Sequence, residues 1–178
     1  AAFWARRIGR IIPAVTVMTM AVLIVGAVLM LPSDYVEIAK CAIAQQCMLA
    51  NVYLWRASGY FAGPAELNPL LHTWSLAVEE QFYLAYPLFL TFLARIGARW
   101  MRPGLVLLAI ASFLLCLWAT SAFPSAAFYL LPTRAWEIAT GGIICLLPKI
   151  RWVGPRIAEA SALAAITAIM TAAWTYDS

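Results

Sequence analysis

The sequence has 178 residues, of which 65% are hydrophobic and only 11% are charged, and its mean hydropathy is +0.86. Ordinary soluble domains carry about 25% charged residues, so this composition excludes a soluble domain and leaves room for roughly five or six membrane spans. The formal net charge of +4 is not accompanied by a basic groove or a stacking pattern, which favours a role in membrane topology over nucleic-acid binding. The four cysteines lack metal-ligand spacing, and we expect no metal.

The first predicted element is a membrane helix over residues 11–31, an apolar run interrupted only by Pro13, two threonines and one glycine. A proline in the first helical turn costs little, because the N–H that it lacks would have no intrahelical partner there. Arg6, Arg7 and Arg10 precede the run. By the positive-inside rule, these arginines place this end of the helix on the cytoplasmic side.

The next segment, residues 36–55, has helical propensity but is interrupted by Glu37, a lysine, two glutamines and Asn51. Because polar groups are costly in the core of a bilayer, we predict a re-entrant or interfacial helix that does not cross. A loop follows. Asn68 and Pro69 then resemble an N-cap with proline at the first helical position, so a helix is predicted to begin there or a few residues later.

Four further spans are predicted over residues 74–93, 105–122, 134–147 and 158–174. Five crossings place most of the basic residues on the inner side, namely Arg6, Arg7, Arg10, Arg95, Arg99, Arg102, Lys149, Arg151 and Arg156. A crossing by residues 36–55 would invert the predicted membrane orientation of every later span. The predicted fold is therefore all-α, a polytopic transmembrane helix bundle, with residues 1–178 as part of a single integral-membrane domain.

The predicted span 74–93 carries an unusual set of polar side chains. A carboxylate at the centre of a membrane helix costs roughly 2.5–3.5 kcal/mol, so such groups usually face a protein interior or a watery cavity. The adjacent Glu79 and Glu80 could share a proton, with a histidine nearby as a base; alternatively, they pair with arginines. At helical spacing, one face would hold His72, Ser75, Glu79, Tyr83 and Tyr86.

The arginine cluster has two interpretations. Arg7 and Arg10 lie three residues apart on one helix face, beside Arg6. Arginine forks suit phosphate oxygens, which favours an anion site. The alternative is a topology anchor without any other role.

Arg134 and Glu137 form a further polar pair at the outer start of a predicted span. They either pair with each other, or Arg134 neutralises Glu79 or Glu80 across the bundle. The two glycines at 141–142 would let a neighbouring helix or an acyl chain come close. These residues alone fit an enzyme and a transporter equally well.

The sequence contains, in this order, three motifs: FWARRIGRIIP, LNPLLHTWSLAVEEQFYLAYP and PTRAWEIATGG. They resemble motifs of the integral-membrane acyltransferase-3 family, which includes O-antigen and other surface-polysaccharide O-acetyltransferases. The resemblance implies a multi-span protein of the cytoplasmic (inner) membrane that takes an acyl group, usually acetyl, from cytoplasmic acyl-CoA, without a metal. It implies delivery to a hydroxyl on the outer side, commonly of a carbohydrate or lipid-linked glycan such as lipopolysaccharide.

The resemblance also implies roles for individual residues. Arg7 and Arg10 match the RxxR pattern that the family associates with its acyl-CoA donor, and Arg6 lies beside them. The second block implies supporting catalytic roles for Glu79, Glu80, His72 and Tyr83, flanked by Trp74, Ser75 and Gln81. The third block matches at Arg134, Trp136 and Glu137, and implies supporting catalytic roles for Arg134 and Glu137.

One departure concerns the histidine that the family uses as its catalytic base, which lies about ten residues after an Arg or Lys in an earlier helix. The single histidine here, His72, belongs to a different block and is expected on the outer side. The resemblance thus implies a fragment that lacks the first helices and the C-terminal part, is inactive alone, and leaves room for an SGNH-type partner domain beyond its C-terminus. The alternative function is a proton-coupled transporter or export component that uses the same polar stripe.

Overall fold

The computed structural model describes residues 2–58, 68–146 and 155–176. Within these ranges the regular structure is entirely helical, as predicted: α1 (Ala2–Leu29), α2 (Pro32–Gln46), α3 (Ala50–Ala57), α4 (Thr73–Ile96), α5 (Met101–Ala122), α6 (Pro124–Tyr129), α7 (Leu131–Leu146) and α8 (Pro155–Tyr176). A short 3₁₀ helix, Ala98–Trp100, joins α4 to α5. The chain divides into two compact units, Ala1–Leu146 and Leu147–Ser178. The second unit contains α8, whose described side chains are exposed.

Membrane-crossing capacity differs between the helices. In the described ranges, three helical segments are long and apolar enough to cross a membrane: Phe3–Leu29, Ala98–Ala122 and Ile157–Thr175. They overlap the first, third and fifth predicted spans. The 24-residue α4 has the length but carries two adjacent glutamates, and α7 has only 16 residues. The total of five crossings therefore stays a prediction.

Helix α2 folds back along α1. Pro32 begins α2, directly after an extended residue, where its fixed φ suits the first helical turn. Near that end, a Cβ built on Gly26 of α1 would lie 3.5 Å from the ring of Tyr35. Near the other end, Thr16 Oγ1 donates to Gln46 Oε1 at 3.3 Å. The two helices are therefore antiparallel neighbours.

The segment predicted as a single helix over residues 36–55 consists of two helices. α2 ends at Gln46 and α3 begins at Ala50, and between them Met48 adopts a left-handed backbone with φ 59°. A non-glycine residue seldom adopts positive φ unless its surroundings fix it. The prediction of one continuous helix was therefore wrong, and the contacts that stabilise the break come from α4, far along the chain.

Helix α4 begins at Thr73, within the range predicted from Asn68 and Pro69. Asn68 Oδ1 accepts the backbone N–H of Leu70 at 2.9 Å, and Thr73 Oγ1 donates to the Leu70 carbonyl at 2.7 Å. The Leu70 side chain is fully buried. This turn anchors the start of α4 in a core shared with α2, α3 and α6, which contains Ile38, Cys41, Ala42, Leu54, Leu70 and Tyr129.

A second core joins α4, α5 and α7, and contains Phe82, Ala109, Ala135 and Ala139. Ser112 of α5 fixes the start of α7. Its hydroxyl donates to the Pro132 carbonyl at 2.7 Å and accepts the backbone N–H of Trp136 at 3.0 Å.

The two adjacent glycines of α7 have different surroundings. A Cβ at Gly142 would lie 2.5 Å from Tyr86 Oη of α4, whereas nothing lies within 4 Å of a Cβ at Gly141.

Replacing Gly142 by alanine is expected to lower the free energy of unfolding by about 1–3 kcal/mol relative to Gly141→Ala, because the added methyl group displaces Tyr86 from its contact with α7. Tyr86 stacks on Phe82 at 4.9 Å, so its ring has little freedom to move away. Gly141→Ala is the matched control, since it changes helix propensity equally and meets open space. Thermal unfolding in detergent measures both variants, and equal transition midpoints would contradict the predicted contact.

Candidate active site

The structure distinguishes the two adjacent glutamates of α4. Glu80 is buried, with 8% of its surface exposed, on the face that also buries Thr73 and Ala77. Glu79, together with His72 and Ser75 of the predicted polar face, is exposed. Adjacent helical residues point about 100° apart, so only one of the pair can face the bundle. Of the predicted polar face, His72, Ser75 and Glu79 are exposed in the described bundle, whereas Tyr83 lines a cavity. Glu80 is the inward carboxylate of the pair.

Glu80 lines a cavity of about 60 Å³ between α1, the α2–α3 break and α4. The polar or charged lining comes from Glu80, Arg7 and Tyr83. The remaining lining is apolar and comes from Trp4, Ile8, Ile11, Met48 and Leu84. Two site groups that lie more than 70 residues apart in the sequence, the arginine cluster and the glutamate block, thus meet here.

Arg7 is held at this cavity by aromatic contacts. Its guanidinium carbon lies 4.1 Å from the ring centroid of Tyr83 and 5.9 Å from that of Phe3, within the range of cation–π attraction. Trp4 Nε1 donates to the Tyr83 carbonyl at 3.2 Å and ties the start of α1 to the middle of α4. Arg7 is half-buried as a result, while Arg6 and Arg10 are exposed.

Arg7 and Glu80 both line the cavity, but they do not form an ion pair with each other. The ion pairs among the described residues are Lys40–Glu37 and Arg134–Glu137, so Arg7 and Glu80 are farther than 4.0 Å apart. Glu80 Oε2 is buried and makes no hydrogen bond within the described part of the chain. A buried carboxylate oxygen without a partner is costly, and such groups cluster at sites that bind ligands or transfer protons.

The exposed arginines retain their full capacity to bind an anion. Arg10 lies three residues after Arg7 on α1, and none of the three clustered arginines has a carboxylate partner in residues 2–58, 68–146 or 155–176. Guanidinium groups that are not neutralised by the protein can form charge-assisted bonds with phosphate oxygens. The arginine cluster therefore has the chemistry of a site for an anionic ligand.

Arg134 and Glu137 form a separate cluster near the start of α4. Arg134 Nη1 lies 3.2 Å from Glu137 Oε1, and Arg134 Nε donates to the Phe128 carbonyl at 2.8 Å. The guanidinium carbon also lies 4.8 Å from the ring centroid of Trp74. Of the two alternatives from the sequence, the local pair is therefore the observed one. Neither glutamate of α4 pairs with Arg134 among the described residues.

Sequence reasoning missed one buried residue beside the cavity. Asn51 of α3 is fully buried and exchanges hydrogen bonds with Gln81 of α4. Gln81 was included only as a flank of the second motif, and Asn51 was noted only as an interruption of an apolar segment. A polar residue within such a segment was the available signal, but its partner lies 30 residues away and no local pattern links the two.

Comparisons with a protein-family model and with individual known proteins point to one family. The family described as an acyltransferase domain, acyltransferase-3, matches residues 1–178. An uncharacterized protein of Haemophilus influenzae is 38% identical over 71% of this chain and 50% of its own length. BcsY of Komagataeibacter xylinus, provisionally named a membrane-bound transacylase, is 33% identical over 96% of this chain and 43% of its own.

A third relative is the peptidoglycan O-acetyltransferase OatA of Listeria monocytogenes, 30% identical over 89% of this chain and 26% of its own length. The chain thus spans half or less of each of these relatives. No solved structure matches. The family match over the full length agrees with the helical fold, the apolar helices and the order of the three motifs. We conclude that the chain belongs to the acyltransferase-3 family of membrane acyltransferase domains.

Proposed function

We propose that the protein containing this chain is a membrane O-acyltransferase, which transfers an acyl group, most simply acetyl, from acyl-CoA to a hydroxyl of a cell-surface carbohydrate. Family membership supports the reaction class. The names of two relatives, a transacylase and a peptidoglycan O-acetyltransferase, support the acyl group and the carbohydrate acceptor. The single observation that carries the proposal is the buried carboxyl group of Glu80 at a cavity that Arg7 also lines; its Oε2 makes no hydrogen bond within the described part of the chain.

The proposed reaction forms a bond between the acceptor oxygen and the acyl carbon, and it breaks the bond between that carbon and the thioester sulfur. The acceptor hydroxyl loses its proton and the departing thiolate gains one. Glu80 is the group of this chain that would hold or relay a proton, because a buried carboxyl group that is held in place beside the reacting atoms can act as a general acid or base. Tyr83 and Arg7 would balance the charge that develops beside it.

The proposed donor side is the side of the arginine cluster. Arg10 and Arg6 would bind donor phosphates through charge-assisted hydrogen bonds, while Arg7 orients the acyl end toward the cavity. By the positive-inside rule these arginines would lie in the cytoplasm, where acyl-CoA is available, and His72 would then lie on the outer side. The acceptor would then be a glycan of the cell envelope, approached from the face opposite to the donor.

The test is acyl transfer by the whole protein, reconstituted in liposomes with radiolabelled acetyl-CoA on one side and a glycan acceptor on the other. Labelled acceptor should appear only when acetyl-CoA is on the side of the arginine cluster. Protein-free liposomes give the background of spontaneous transfer. Proton-driven solute uptake without any labelled acceptor would contradict the proposal and favour a transporter.

A further inference from the structure

The break between α2 and α3 is held by two amide side chains. Gln81 Nε2 donates to the Met48 carbonyl at 2.7 Å and to Asn51 Oδ1 at 2.8 Å. Asn51 Nδ2 donates to the Tyr129 carbonyl at 3.1 Å and to Gln81 Oε1 at 3.4 Å. All four polar atoms of the two amides therefore have partners. A buried network that is fully satisfied fixes one geometry, because losing any member leaves another unpaired.

These bonds determine where Met48 lies relative to Glu80. The left-handed backbone of Met48 turns its carbonyl toward Gln81, and its side chain forms part of the cavity wall. Gln81 directly follows Glu80 on α4, so the bonds that hold the break also set its distance from the carboxylate. The hydrogen-bonded pair of Asn51 and Gln81 thus links Met48, in the cavity wall, to Glu80.

The cavity has the properties of a site for a short apolar group. Roughly 10–15 Å³ admits one water molecule, so about 60 Å³ has room for only a few groups of that size. Its lining is mainly apolar, with a few polar side chains from Arg7, Glu80 and Tyr83, which is the usual composition of a small-ligand site. A short acyl group has this pattern, since it joins an apolar tail to a single polar carbonyl.

We propose that Met48 is the wall that limits the length of the acyl group, and that Asn51 and Gln81 are positioning residues that hold Met48 in place. The inference rests on the proposed function, because it assigns the cavity to the acyl group of the donor. It goes further by naming the residues that select among donors. Neither Met48 nor Asn51 stands in a motif that the sequence singled out.

The experiment compares kcat/KM for acetyl-CoA and butyryl-CoA with the whole protein. Wild type should prefer acetyl-CoA. Met48→Ala should raise the butyryl-to-acetyl ratio about tenfold or more, because each methylene group accommodated by an apolar pocket is worth roughly 10–200-fold in selectivity. Asn51→Asp, which keeps the shape but removes the donor to the Tyr129 carbonyl and to Gln81 Oε1, should shift the ratio in the same direction. The ratio does not depend on the fraction of protein that folds.

Met20→Ala is the matched control, since Met20 is an exposed methionine on α1 that does not line the cavity. Its ratio should equal that of wild type. An unchanged ratio in Met48→Ala would overturn the length limit, and an unchanged ratio in Asn51→Asp alone would overturn the positioning role. If wild type transfers neither acyl group, the proposed function itself is refuted, and the inference fails with it.

Discussion

Replacing Glu80 by glutamine is expected to reduce acyl transfer by the whole protein at least about 100-fold, the usual contribution of a positioned acid or base. Glutamine has nearly the same shape but no ionisable group. Because Glu80 Oε2 accepts no hydrogen bond in the described part of the chain, the substitution breaks no bond at that oxygen. The thermal unfolding midpoint should therefore stay equal or rise, while turnover at saturating acetyl-CoA is lost.

Glu79→Gln is the matched control for this prediction. It makes the same chemical change one residue away, on the exposed side of α4, and it should alter turnover by less than about threefold, a difference below 1 kcal/mol. Equal losses in the two variants would contradict the assignment of Glu80, because they would indicate a shared electrostatic effect. Full activity of Glu80→Gln would remove Glu80 from the proton transfer altogether.

The helices were predictable where composition alone determines them. The run at 11–31 and the run at 105–122 are apolar without interruption by charge. The first is helical in α1 up to Leu29, and the second lies within α5. The break at Met48 was not predictable, because it depends on a hydrogen bond from Gln81, 33 residues away. A scale of local helix propensity does not include this bond, because the Met48 carbonyl accepts it only after α4 has packed against the break.

The candidate site was predictable in its residue types but not in its geometry. The motif identified Glu79 and Glu80 as a pair, and helical spacing then favoured the face of Glu79. Spacing shows which residues share a face, but packing decides which face is buried, and α4 buries the face of Glu80. The meeting of Arg7 with this face was also beyond local analysis, because it depends on how the first turns of α1 pack against Tyr83.

Replacing Arg10 by alanine is expected to raise the Kd for acetyl-CoA about tenfold, because one charge-assisted hydrogen bond to a phosphate is worth roughly 1.5–3 kcal/mol. Turnover at saturating donor should be retained, since Arg10 is exposed and does not line the cavity. Isothermal titration with the whole protein in detergent measures the Kd. Raising the salt concentration should weaken binding by wild type more than by the variant, because screening acts on the charge that the variant lacks.

Arg102→Ala is the control that separates a binding site from a general surface charge. Arg102 is also exposed and also predicted on the cytoplasmic side, so its removal changes the net charge of that side equally. Its Kd for acetyl-CoA should match that of wild type. If both variants weakened acetyl-CoA binding equally, the RxxR pattern would be a topology anchor only. In a specific site, an arginine close to the bound phosphates contributes more to binding than another exposed arginine does.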